Sequence, residues 1–256
     1  MKSRISTIAR FTLLEAVRTR LPVLMLLALM LLLGASFFVE ELAVTEGARF
    51  HTGFYAASAR WAVVFIAAFH ALGSVAREFD DKGLDIVLAL DLPRSQYVLG
   101  KLAGFVGIAF ALAGAACLPL LVSAPLQAVV QWGLSLGVEL AVVAALALFC
   151  VITFNQLLPA ATFVAAFYLL ARLLTAMRLM SAHPIADADS ASHQVITWVV
   201  EGLALVMPAF DGWTQTAWLV NDRAPWTELA QILGQGALYV VLLAAATMFD
   251  FQRRNL

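Results

Sequence analysis

Charge is the scarcest property of this sequence. Asp, Glu, Lys and Arg make up 13% of its 256 residues. A soluble domain of that length needs far more polar surface to cover its core, so a soluble globular protein is excluded. The few charges nearly cancel, at a formal −1, so the basic excess that nucleic-acid binding requires is missing. Cysteine is almost absent. Cys117 and Cys150 sit inside apolar runs, away from any C-x-x-C or Cys/His cluster. They support neither a disulfide framework nor a structural metal site, and read as small buried hydrophobes. No strong internal repeat stands out. The alternating pattern of an outer-membrane barrel is missing as well.

Apolar residues, by contrast, make up 62% of the chain, and the mean hydropathy is +0.90. Crossing hydrocarbon takes about 20 apolar residues in a helix, because lipid offers the backbone no hydrogen-bond partner. Six stretches meet that length: 21–39, 56–75, 97–121, 127–151, 157–176 and 230–249. The expected fold is therefore all-α, a polytopic integral membrane protein forming a single domain over 1–256. Pro119, Ser123 and Pro125 mark the turn between the third and fourth spans. Thr153, Asn155, Gln156 and Pro159 mark the next. Arg60 is expected to snorkel at the end of the second span, with Trp61 at the interface. Arg172 and Arg178 are expected to anchor the outer end of the fifth. Residues 177–229 form a long loop, within which 194–208 is apolar but short. It contains Glu201 and runs into Pro208, so it reads as a helix lying on or dipping into the membrane. Trp198, Trp213, Trp218 and Trp226 suit an interface there.

Five basic residues, Lys2, Arg4, Arg10, Arg18 and Arg20, precede the first span. Residues 2–20 read as a basic surface helix with Ile5, Ile8, Ala9, Ala16 and Val17 on its apolar side, or as residues that only set topology. The first apolar run is long enough to remain as an anchor rather than a cleaved leader. The N-terminal segment, the island at 77–101 and the tail together hold most of the 16 Lys and Arg. The positive-inside rule then puts both termini and the island in the cytoplasm.

That island, REFDDKGLDIVLALDLPRSQYVLGK, is too charged for hydrocarbon and too patterned for a bare loop. Leu84, Val87 and Leu88 fall on one face of a short helix, flanked by Asp81, Lys82 and Asp85. Pro93 ends that helix at or before Leu92. Such a helix is either an amphipathic connector or a docking face for a soluble partner. Within the spans, Glu139 is a carboxylate at a costly depth. It is either a polar point in a transport path or a structural group bonded to a neighbouring span. His70, deep in the second span, is either a core histidine or a substrate contact. Neither has companions at ligand spacing, so no metal site is assigned. In the long loop, His183 and His193 bracket Asp187 and Asp189 without matching a metal pattern.

Three passages, TIARFTLLEAVRTRLPVLMLL (7–27), the 77–101 island and FDFQRRNL (249–256), resemble the membrane subunit of ABC-type-2 exporters. The island resembles the pattern R-E-x-x-x-G-…-L-…-P-x-x-R-x-x-x-x-G-K. Arg77, Glu78, Gly83, Leu88, Pro93, Gly100 and Lys101 match it, while the later Arg is shifted to Arg94. The likeness covers the whole chain in topology and is specific in these segments. It implies a permease in the bacterial cytoplasmic (inner) membrane, paired with a second copy of itself or a similar permease, with periplasmic or additional membrane subunits in some relatives. It also implies a separate cytoplasmic ABC ATPase dimer. ATP and Mg belong to that partner, because this chain has no G-x-x-x-x-G-K-[ST], and no catalytic residue or cofactor is assigned to it. Arg77, Glu78, Asp81, Gly83, Leu84, Asp85, Val87 and Leu88 would form the ATPase-coupling surface, and Glu139 and His70 are the candidates for the transport path. Two other readings stay open. One is a non-transporting anchor that transmits force in an ATPase-driven assembly or maturation complex. The other is an intramembrane enzyme, against which count the expected lack of H-E-x-x-H and G-x-S-x-G and of a convincing catalytic pair within the spans.

Overall fold

A computed structural model describes residues 4–42, 46–80, 93–182, 191–221 and 224–253. The secondary structure of these residues is all α. Six helices are long and apolar enough to cross a membrane. These are α2 (Leu21–Leu42), α3 (Gly47–Asp80), α4 (Arg94–Cys117), α6 (Leu126–Phe154), α7 (Leu157–Ala182) and α10 (Trp226–Arg253). Four others complete the fold: α1 (Arg4–Arg18), α5 (Leu120–Ser123), α8 (Ala191–Val206) and α9 (Ala217–Val220).

All six expected spans are present, several of them longer than their apolar runs. The largest extension is in α3, whose 34 residues make a rod of about 51 Å. No proline interrupts Gly47–Asp80, so the helix continues past the hydrocarbon length at its ends. Proline punctuates the rest. Pro93 and Pro125 occupy the N-cap positions of α4 and α6, where a missing N–H costs nothing. Pro119 cannot donate to the carbonyl four residues back, and α4 stops at Cys117. At the far end of α6, Asn155 adopts φ 57°, the left-handed C-terminal conformation, and its N–H bonds Val151 O at 3.0 Å. The 153–159 turn thus lies where the sequence marks it.

The centre is α6, enclosed by α3, α4, α7 and α10. Its apolar window is 89% buried, against 17% for α2 at the periphery. A helix that is apolar all round suits the first position, and one with an exposed apolar face suits lipid.

At the N-terminus, α1 packs on α4 rather than standing clear of it. Its inward face is Ile5, Ile8, Ala9, Thr12 and Ala16. The contact is close because α4 presents glycine there. A Cβ on Gly100 would lie 2.7 Å from Ile8 Cβ, and one on Gly104 would lie 2.6 Å from Thr12 Cβ. Small residues four apart let two helices approach where no hydrophobic effect drives them together. Phe11, Leu14 and Val17 face outward. Val17, expected on the apolar inner side, is instead 63% exposed.

Candidate functional site

The residues expected to form a coupling surface divide at the edge of the described structure. Asp81, Gly83, Leu84, Asp85, Val87 and Leu88 lie outside the described residues, as does the short helix expected there. Arg77 and Glu78, at the end of α3, are described, and so are Gly100 and Lys101 on α4. The two ends of the island meet.

Lys101 is 2% exposed, and its Nζ lies 2.6 Å from Glu78 Oε1 and 3.3 Å from Glu15 Oε2. It also donates to Ser74 Oγ at 3.0 Å. Ser74 Oγ in turn donates to Glu15 Oε2 at 2.7 Å. Arg77 pairs with Glu15 at 3.2 Å, and the Tyr97 hydroxyl donates to Glu78. Two cations meet two carboxylates, so burying Lys101 leaves no net charge behind. Burial pushes the Glu15 carboxyl upward as the largest single influence. The Lys101 charge and hydrogen bonds from Ser74, Arg77 and Lys101 together outweigh it and hold the carboxyl below its usual range. This cluster locks α1, α3 and α4 together near the end of α3 and the start of α4. Arg94 adds α10, donating to Phe251 O at 2.8 Å and Gln252 O at 3.4 Å.

A second polar cluster lies mid-bundle and centres on Glu139, which is 0% exposed. Its Oε1 accepts from the Tyr168 hydroxyl at 2.8 Å and lies 3.4 Å from Arg172 Nη1. Its Oε2 accepts from Thr214 Oγ1 at 2.7 Å. Arg172 also donates to Phe210 O and, at 3.4 Å, to Trp213 O. Arg60 donates to Thr214 O at 2.8 Å. Neither arginine behaves as the sequence suggests. Arg60 does not snorkel and Arg172 does not anchor an end, since the side chain of Arg172 and the whole of Arg60 are each 9% exposed.

The reason is the segment 207–216, which follows α8. Thr214 meets Ser135 and Glu139 near the middle of α6, so this segment reaches deep among the helices. Its backbone is not helical there, and Thr214 has φ 50°. Unwound backbone at that depth must find partners within the protein. Here Phe210, Trp213 and Thr214 carbonyls take the arginines, and Thr214 N–H donates to Ser135 Oγ at 2.9 Å. Two arginines face one carboxylate, and the three carbonyl dipoles supply the remaining negative potential. The 207–216 segment is thus enclosed by the helices, while 194–206, within the stretch expected to lie on or dip into the membrane, belongs to α8 and is mostly exposed. Trp213 and Trp218 accordingly are buried, while Trp198 and Trp226 stay exposed. From sequence, each of these charges reads as a separate group. Two Arg and one Glu near mid-span on separate spans was the available signal.

Residues 133–137, Gly-Leu-Ser-Leu-Gly, do spell G-x-S-x-G, which corrects the expectation that this motif is lacking. In hydrolases that motif sits on a strand-to-helix turn that exposes the serine. Here it lies inside α6. A Cβ on Gly133 would lie 2.5 Å from Cys117 Sγ, and one on Gly137 would lie 2.5 Å from the Phe110 ring. Ser135 Oγ serves Thr214, accepting from its N–H and meeting its hydroxyl at 3.2 Å. The glycines serve packing and the serine serves the clamp.

His70 is half-buried, edge-on to Phe105 at 6.5 Å, and its Nε2 has no hydrogen-bond partner among the described residues. The structure therefore separates the two transport-path candidates: Glu139 is fully engaged and His70 is not. Among the described residues no group of three His, Cys, Asp or Glu is placed to hold a metal ion.

No protein-family model matches the chain, and comparison with curated proteins gives no match. What stands is a multi-pass membrane protein with six candidate spans, which holds a charged cluster where α1, α3 and α4 meet and a clamped 207–216 segment.

Proposed function

We propose that this chain is the membrane subunit of an ATP-driven transporter of the ABC-2 kind. A separate cytoplasmic ATPase dimer supplies the energy, and a second copy of this chain or a similar permease completes the assembly. In this reading the termini and the 81–92 connector face the cytoplasm of a bacterial inner membrane. ATP and Mg bind the partner. One observation carries the reading: Arg77, Glu78 and Lys101, the ends of the motif-like island, join Glu15, Ser74 and Tyr97 in one network around the buried Lys101. A force applied to 81–92 would then move α1, α3 and α4 as one body, with α10 attached through Arg94. A flexible connector tethered to nothing could not transmit it.

A second reading, a membrane anchor that transmits force without passing cargo, draws support from the enclosure of α6 and the full engagement of Glu139. The test is gentle purification of the tagged full chain from its native host, with identification of what accompanies it. A stoichiometric ABC ATPase, lost on Leu84→Asp, supports both readings. Release of cargo from vesicles with ATP then favours transport over anchoring. A chain that emerges alone under conditions preserving complexes rejects both.

A further inference from the structure

A cavity of about 380 Å³ opens beside α1, where α3 ends and α4 begins. Phe11 and Leu14 give it an apolar wall, and Glu15, Arg18, Glu78 and Lys101 supply its charges. Three spans meet its level. Glu78 is in the last turn of α3, Lys101 is in the second turn of α4, and Arg18 stands three residues before α2. The ends of spans are where a membrane protein meets lipid headgroups. The charges are not equally spent. Lys101 has three N–H donors, and Glu78, Glu15 and Ser74 take them. A carboxylate oxygen has room for two donors. Among the described residues, Glu78 receives one on each oxygen, from Lys101 and Tyr97, and Glu15 Oε1 receives one, from Arg77. Their side chains are 33% and 26% exposed, so the remaining lone pairs are accessible. Arg18 is exposed and forms no ion pair among the described residues. It stands three residues from Glu15 on α1, which sets their Cβ atoms about 5–6 Å apart.

Unused carboxylate acceptors one helical turn from an unpaired guanidinium match a ligand that carries both signs of charge close together. We propose that this cavity binds the headgroup of a zwitterionic phospholipid with a primary amine, phosphatidylethanolamine. Its ammonium donates to Glu78 and Glu15, its phosphate accepts from Arg18, and its acyl chains leave along Phe11 and Leu14. Two carbons separate amine from phosphate in that headgroup, a spacing that one helical turn accommodates. Guanidinium suits phosphate because its fork donates two parallel hydrogen bonds. A quaternary ammonium has no N–H to donate. An anionic glycerol headgroup offers the carboxylates only neutral hydroxyls, which make weaker bonds than a charged donor. The proposal rests on the membrane-spanning fold and is independent of any ATPase.

Native mass spectrometry of the purified full-length chain tests it. The probes are phosphatidylethanolamine, its N-methyl and N,N-dimethyl forms, phosphatidylcholine and phosphatidylglycerol, all with the same acyl chains. Wild type should retain phosphatidylethanolamine roughly tenfold better than phosphatidylcholine, the ratio that one charge-assisted hydrogen bond supplies. Retention should fall stepwise as each methyl replaces an N–H. Arg18→Gln should lower retention of both lipids and leave their ratio unchanged, because both carry the phosphate. Glu78→Gln should bring the ratio toward one. That variant also removes a partner of Lys101, so where it fails to fold the methylation series, which leaves the protein intact, decides. Equal retention of the whole series by wild type overturns the site, as does stronger retention of phosphatidylglycerol than of phosphatidylethanolamine. Unchanged retention in Arg18→Gln overturns it as well.

Discussion

Glu139 shows how much one buried carboxylate can determine. It stands between Arg172, Tyr168 and Thr214, and removing one partner of a buried ion pair costs about 3–5 kcal/mol, because the other charge is left without compensation. Glu139→Gln keeps the shape and loses the charge. It should lower the unfolding midpoint of the detergent-solubilised chain clearly, and Arg172→Gln alone should do the same. Together they should cost less than the sum, since each change removes the other's unpaired charge. Simple additivity would show that the two groups do not act as a pair. Lys101 sets a comparable balance at the other cluster, with a consequence in pH. Because the folded Glu15 carboxyl lies below its unfolded value, its stabilising contribution is fully present above that value. It is lost as pH falls through the lower, folded one. Lys101→Met removes the main opposing charge and leaves burial to dominate. Release of α1, followed by thiol labelling of Ala9→Cys against pH, should then move to higher pH. An unchanged labelling profile would exclude Lys101 as the group that holds Glu15 ionised.

At the scale of elements, what the sequence made legible follows from where the information lies. Hydropathy is local, so α2, α3, α4, α6, α7 and α10 could be read from runs of residues, and the turns from Pro119, Pro125 and Asn155. The fate of Arg60 and Arg172 was not local. Both sit on apolar helices, and only the approach of Phe210, Trp213 and Thr214 makes them interior groups. Snorkelling is the fair expectation for an arginine whose partner lies 154 residues away. The docking of α1 was also non-local, since the glycines that admit it are on α4. Gly104→Val places side-chain atoms where Thr12 stands and should lift α1 from α4, at a cost of about 1–3 kcal/mol typical of overpacking. Hydrogen exchange should rise over Arg4–Arg18 while Leu126–Phe154 stays protected. Equal loosening of both would mean that α1 is integral to the bundle rather than a docked element.

In the whole molecule the two polar clusters sit at different levels of one long helix. Ser74, Arg77 and Glu78 belong to the charged cluster, Arg60 belongs to the clamp, and all four are on α3. Under the proposed function, α3 is the rod that carries movement from the 81–92 connector to the 207–216 segment. Docking and transmission then reside in different residues and can be separated. Leu84→Asp changes the expected docking face and should abolish co-purification of the ATPase. Lys101→Met leaves that face alone but unties α3 from α1 and α4. It should keep the ATPase bound while uncoupling its turnover from cargo release, or from whatever movement the complex drives. The ratio of bound ATPase to permease, measured beside ATP-dependent release from reconstituted vesicles, distinguishes the two variants. Loss of the ATPase in Lys101→Met would make the charged cluster part of the docking surface itself. Full coupling in that variant would remove the cluster from the path of force, and α3 would have to act without it.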